Sequence, residues 1–110
     1  MENIRTFKLR NKGGFVARLF IEYRASDKDS WNTWKPDGYS DICAAAERSV
    51  DIADTGIASG SHVRLHAFVL SGSDRTASEE FIYSKDVGTT AAYNITGTTL
   101  INKLHFEGTN

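Results

Sequence analysis

The chain has 110 residues, 40% hydrophobic and 25% charged, which fits one ordinary folded unit with its own core and excludes disorder as its general description. Thirteen basic against fourteen acidic residues give a formal net charge of −1 without any basic run, so nucleic acid is not an expected partner. The one cysteine, Cys43, cannot close an intrachain disulfide, and no motif beside it supplies the base that a nucleophilic thiolate needs.

In chain order, Met1–Arg5 lacks the apolar stretch of a secretory signal, and no apolar run reaches membrane-spanning length. The expectation is a soluble chain, cytoplasmic or exported by a non-classical route. Ile4–Arg10 alternates as a strand, and Asn11-Lys12-Gly13-Gly14 reads as a turn or bulge. Phe15–Arg24 is a long period-two strand with Phe15, Ala17, Leu19, Ile21 and Tyr23 on one face. The basic residues crowding this first quarter, Arg5, Lys8, Arg10, Lys12, Arg18 and Arg24, fall at solvated positions of such strands.

Trp31 and Trp34 then sit in a polar stretch, and the loop Asn32–Ser40 holds the single proline, Pro36. Helix evidence is confined to Ile42–Ala46, which is too short to be stable alone. Arg48–Ile52 is a weaker strand candidate. His62–Leu70 is a clear one, with Val63, Leu65, Ala67 and Val69 on one face. Glu80–Ser84, Ala91–Thr96 and Leu100–Phe106 complete the strands, separated by turn chemistry at residues 54–56, 59–61, 71–74, 87–89 and 96–98. Together these predict an all-β fold: a single-domain two-sheet β-sandwich of about seven or eight strands spanning residues 1–110.

Constellations for chemistry are missing. His62 and His66 share a strand face but stand about 13 Å apart at the usual rise, too far for one metal ion. Asp27, Asp29 and Asp37 lack the regular acidic loop of a calcium site. Gly13-Gly14 leads into a strand, so no helix N-terminus is offered to a phosphate. No catalytic residue, metal or cofactor is expected, and the chain is not expected to be an enzyme. Polar-flanked tryptophans such as Trp31 and Trp34 can serve as contact area for glycans or lipid interfaces, or as core.

Three ordered segments carry a resemblance: residues 11–23, beginning Asn11-Lys12-Gly13-Gly14-Phe15-Val16-Ala17-Arg18; Ser61-His62-Val63-Arg64-Leu65-His66-Ala67; and Ile95-Thr96-Gly97-Thr98-Thr99-Leu100. Together they resemble the C-terminal membrane-recognition domain of the cholesterol-dependent, thiol-activated cytolysins, and their small stand-alone relatives, the up-regulated-in-Daf-2 family. The resemblance covers Ile4 to about Glu107. It implies a β-sandwich whose loops at one end meet a membrane, with Thr99 and Leu100 matching a Thr-Leu pair that recognises sterol. Where that family carries a tryptophan-rich, cysteine-containing undecapeptide, this chain has Val69–Ser78, without Trp or Cys. The pore-forming domains have no counterpart in this sequence.

The expected function is a non-catalytic binding module for a membrane component, namely a sterol, a lipid headgroup or a surface glycan. Thr99 and Leu100 are the leading ligand-binding residues, with Trp31 and Trp34 as possible neighbours. The alternative is a protein–protein module without lipid binding: a toxin subunit, a partner-neutralising protein or a homo-oligomer, pairing through an exposed sheet edge. Gly97-Thr98-Thr99-Leu100 can equally be a structural turn, with Leu100 packed inward.

Overall fold

The structure, a computed structural model, describes residues 1–110. Its strands are β1 (Asn3–Ile4), β2 (Thr6–Asn11), β3 (Ala17–Arg24), β4 (Asn32–Trp34), β5 (Glu47–Asp51), β6 (His62–Val69), β7 (Arg75–Thr76), β8 (Phe81–Tyr83), β9 (Thr90–Gly97) and β10 (Asn102–Thr109). One 3₁₀ turn, Ile52–Asp54, follows β5. The larger, six-stranded sheet runs β1-β8-β6-β3-β4, with β7 also on β6; the smaller runs β10-β9-β2-β5. No helix is long and apolar enough to cross a membrane.

The expected sandwich is present, with ten strands in place of seven or eight. The uncounted ones are short: β1, β4 and β7 have two or three residues each. Period-two alternation is not visible over so few residues. Ile4 and Thr6–Arg10 also part company, because the chain passes from the larger sheet to the smaller at Arg5. The amides of Arg5 and Thr6 both donate to the Thr89 carbonyl, at 2.8 and 3.2 Å, and this shared acceptor holds the crossing.

Alternation builds the core. Along β6 the burial pattern repeats strictly, with Val63, Leu65, Ala67 and Val69 inward. Leu19 and Ile21 of β3 lie beside them. Phe7 and Leu9 of β2 and Ala91, Tyr93 and Ile95 of β9 cover them from the smaller sheet. Twenty buried hydrophobic side chains form one cluster. Phe7 bridges the sheets, its ring 6.2 Å from that of Phe81 and 6.3 Å from that of Tyr93. Each large apolar side chain taken fully from water contributes about 1.5–3 kcal/mol.

Residues Ile42–Ala46 do not form a helix. Ile42 exchanges backbone bonds with Ala17, of 2.8 and 3.1 Å, which extends the edge of β3. Ala45 then turns at φ +70, where a helix cannot continue. Its amide donates to the Asn11 carbonyl at 2.7 Å.

Asn11 ties this corner together. It is fully buried, and its Nδ2 donates to the carbonyls of Phe15 (2.6 Å) and Ile42 (2.9 Å). Its Oδ1 accepts from the Gly13 amide at 2.9 Å. One side chain therefore bonds three backbone groups, two on the link between β2 and β3 and one at Ile42. Asn11→Ala removes all three bonds, leaving the Ile42 carbonyl only its bond from the Ala17 amide, and is expected to cost about 2–3 kcal/mol in urea unfolding. A loss below about 0.5 kcal/mol, the size of an ordinary surface substitution, would show that water replaces the side chain.

Candidate functional site

Strand direction gathers several loops at one end of the sandwich. Ala17 pairs with Val69, Asn11 with Ile95, and Gly97 with Asn102, so β2, β6 and β9 end where β3 and β10 begin. At this tip lie the β2–β3 link, the β6–β7 loop (70–74) and the β9–β10 loop (98–101). The Leu70 amide donates to the Val16 carbonyl at 2.9 Å, and the Gly14 amide to the Gly97 carbonyl at 3.0 Å.

The two hairpin loops, one from each sheet, are clasped. The Ser73 amide donates to the Thr99 carbonyl at 2.9 Å. Asn102 Nδ2 donates to the carbonyls of Ser73 (2.9 Å) and Thr99 (3.2 Å), while its Oδ1 accepts from Arg75 Nε at 2.7 Å. A Cβ on Gly72 would collide with the Thr99 carbonyl, so only glycine allows this approach. Within the β9–β10 loop, Gly97 turns at φ +104, the Thr98 amide donates to the Ile101 carbonyl at 2.7 Å, and the Ile101 amide donates to Thr98 Oγ1 at 3.2 Å.

Three aliphatic side chains project from the clasped loops. Leu70 is 41% exposed, Leu100 68% and Ile101 81%. Leu100 thus faces solvent in the turn, and β10 begins two residues later than the alternation suggests. Thr99 is half-buried, its carbonyl committed to the clasp. Leu70 and Ile101 escape a sequence reading because each looks like the end of a strand. The available signal is two adjacent aliphatics, Leu100-Ile101, inside a turn bounded by Gly97 and Asn102.

The structure does not bring the tryptophans to this tip. Trp34 pairs with Ile21 in mid-strand and packs against the core. Trp31 lies beside the far end of β3, about 23 Å from Ala17 over seven strand steps. The guanidiniums of Arg24 and Arg64 both lie against its indole, each 4.1 Å from the ring centroid. These belong to an array of paired groups on the outer face of the larger sheet. Arg64 donates to Glu22 Oε1 at 2.6 and 2.8 Å, and His66 Nδ1 lies 2.9 Å from Glu22 Oε2. Burial alone would raise the Glu22 pKa, but the bonds from Arg64 and His66 prevail and lower it. His66 Nε2 also lies 2.9 Å from Asp74 of the β6–β7 loop. Glu79 accepts from Tyr93 Oη, and Glu80 accepts from Arg24.

No protein-family profile matches the chain, and no curated protein does. Solved structures do share its fold. A crystal structure described as a Gram-negative toxin superposes with a TM-score of 0.52 at 16% identity, over 94% of this chain and 22% of that one. Listeriolysin O gives 0.51 at 16% identity, over 96% of this chain and 22% of its own. The isolated membrane-binding domain of pneumolysin superposes more loosely, at 0.48 and 16% identity, over 94% of this chain and 96% of the domain. The chain thus spans about a fifth of the two toxins, and what it shares with them is the fold.

The clasp makes Gly72 a sharp test of the tip. Gly72→Ala is expected to push the two loops apart and to destabilise the protein by about 1–3 kcal/mol. Backbone amide exchange should accelerate at Ser73, whose bond to Thr99 is broken, and stay unchanged in the middle of β6. Unaltered exchange at Ser73 would contradict the contact.

Proposed function

We propose that this chain is a non-catalytic membrane-binding module, residues 1–110 acting as one folded unit, which docks through the tip formed by the β6–β7 and β9–β10 loops. The observation that carries this reading is the convergence of Leu70, Leu100 and Ile101, all exposed, on two hairpins clasped to each other. A monomeric chain gains nothing in water from presenting three large aliphatics at one end. Against a bilayer they enter the headgroup–acyl boundary, and the clasp satisfies the Ser73 amide and the carbonyls of Ser73 and Thr99 in the loops that carry them.

Magnitudes favour a reversible contact. Each aliphatic contributes at most about 1.5–3 kcal/mol on full burial, and association costs offset much of the sum. Asp74 sets the depth. Its carboxylate accepts from the Val69 amide and sits against His66, at 2.9 Å each, so it stays on the protein side of the headgroups. The family resemblance and the shared toxin fold support sterol as the preferred lipid, with Thr99 and Leu100 at the corresponding pair. Trp31 and Trp34 have no part in this contact, since both are engaged elsewhere in the fold.

Co-sedimentation with phosphatidylcholine vesicles, with and without sterol and at low and high salt, tests the proposal. The wild-type chain is expected to pellet with sterol-containing vesicles even at high salt. Leu100→Ser combined with Ile101→Ser should reduce the bound fraction at least about tenfold, because both side chains are lost from the apolar contact. Trp31→Phe should leave it unchanged. Equal pelleting of the double variant and the wild type would overturn the tip assignment. No pelleting of the wild type under any condition would overturn the membrane reading itself.

A further inference from the structure

Strand β10 ends the smaller sheet and has no neighbour on its outer side. Its free edge can be assigned by alternation. In an antiparallel ladder, pairs that exchange backbone bonds alternate with pairs that exchange none. The bond from Thr98 to the Ile101 carbonyl fixes the phase, so the backbones of Lys103 and His105 face β9, opposite Thr96 and Asn94. Those of Asn102, Leu104 and Phe106 point outward. No backbone hydrogen bond outside the sheets reaches these three residues.

The side chains of this edge are ordered by face. Leu104 and Phe106 point inward and are only partly covered: Leu104 packs against the core, and Phe106, 40% exposed, touches the rings of Tyr93 and Phe81. On the outer face lie Lys103, His105 (2.9 Å from Thr96 Oγ1) and Glu107 (2.6 Å from Asn94 Nδ2). Neither Lys103 nor Glu107 forms a salt bridge within the chain. The opposite edge of the sheet differs: β5 has its Glu47 committed to Lys8 and Arg10, and its Asp51 to Arg5.

We propose that β10 pairs antiparallel with β10 of a second copy, about a two-fold axis through His105. With that centre, Leu104 of each copy faces Phe106 of the other, in the phase where their free backbone groups exchange hydrogen bonds. The same register sets Lys103 of each copy against Glu107 of the other, so both unpaired charges are matched twice. The partly exposed Leu104 and Phe106 are covered by their counterparts, and the core continues across the axis. Glu107 is the extra residue of a bulge before Gly108, which turns at φ +110. The bulge stops the ladder beyond Phe106 and keeps the pairing short and reversible. Antiparallel pairing also points the two tips in opposite directions.

The test needs no membrane, so its failure is separate from failure of the membrane reading. Sedimentation velocity over a concentration series at low salt measures the monomer–dimer equilibrium of the intact chain. The wild type is expected to dimerise. Lys103→Glu alone, or Glu107→Lys alone, places like charges opposite each other twice and should weaken the dimer about tenfold or more. The double reversal, and an equimolar mixture of the two singly reversed chains, should recover it. Circular dichroism and unfolding midpoints confirm that each variant folds. A wild type that stays monomeric at every concentration would overturn the proposal. So would a dimer indifferent to the reversals, which would use another face.

Discussion

A Cβ on Gly72 would collide with the carbonyl of Thr99, and the missing atom is what lets a hairpin of the larger sheet touch a hairpin of the smaller one. The core joins the two sheets by apolar packing, which is non-directional and cannot alone fix how their end loops meet. At the tip the junction becomes specific, through Ser73 on the Thr99 carbonyl and Asn102 on both loops. Leu70 on one hairpin and Leu100 and Ile101 on the other are thereby presented together. Asn11 does similar work behind them, closing the β2–β3 link and the Ile42 bridge with one buried amide. A pair of polar side chains and a glycine thus turn the open end of a sandwich into a shaped surface.

Much of the fold was legible in the residues. Strands β3, β6 and β9 are eight residues long, and the alternation of their residue types identifies both the strand and its core side, although Phe20 and Glu22 of β3 and Asn94 of β9 are also covered on the outer face. The sheet change at Arg5 leaves only a faint trace: buried Ile4 is out of step with buried Phe7 and Leu9, and a phase shift carried by one residue does not stand out in so short a stretch. Ile42–Ala46 has the composition of a helix start, but backbone pairing between Ile42 and Ala17 prevails over that weak local preference. Of the tip, the sequence offered Thr99 and Leu100 through a family resemblance. It could not show Leu70 beside them, because that proximity depends on the register of β6 against β3 and on a contact between sheets.

The tryptophans show the same limit from the other side. Polar flanks made Trp31 look available, yet those flanks do not include Arg24 and Arg64, the groups that cover it. Arg64 lies thirty-three positions further along the chain, and strand pairing places it opposite Glu22, near Arg24. On this outer face nearly every charge has a partner: Arg18 with Asp41, Arg24 with Glu80, Arg64 with Glu22. The apolar tip and the free edge of β10 stand apart from it as surfaces whose groups are not satisfied within the chain. One closes the end of the sandwich and the other runs along its side.

The most direct measurement of the central claim reads which end of the molecule leaves water. An environment-sensitive fluorophore is attached to a single cysteine in a Cys43→Ser background, at Ile101→Cys on the tip or at Ala58→Cys on the exposed far end. The account predicts a blue-shifted, brighter emission at position 101 when sterol-containing vesicles are added, and an unchanged spectrum at position 58. A spectrum at 101 that ignores vesicles to which the labelled chain is bound, or an equal shift at 58, would contradict docking through the tip.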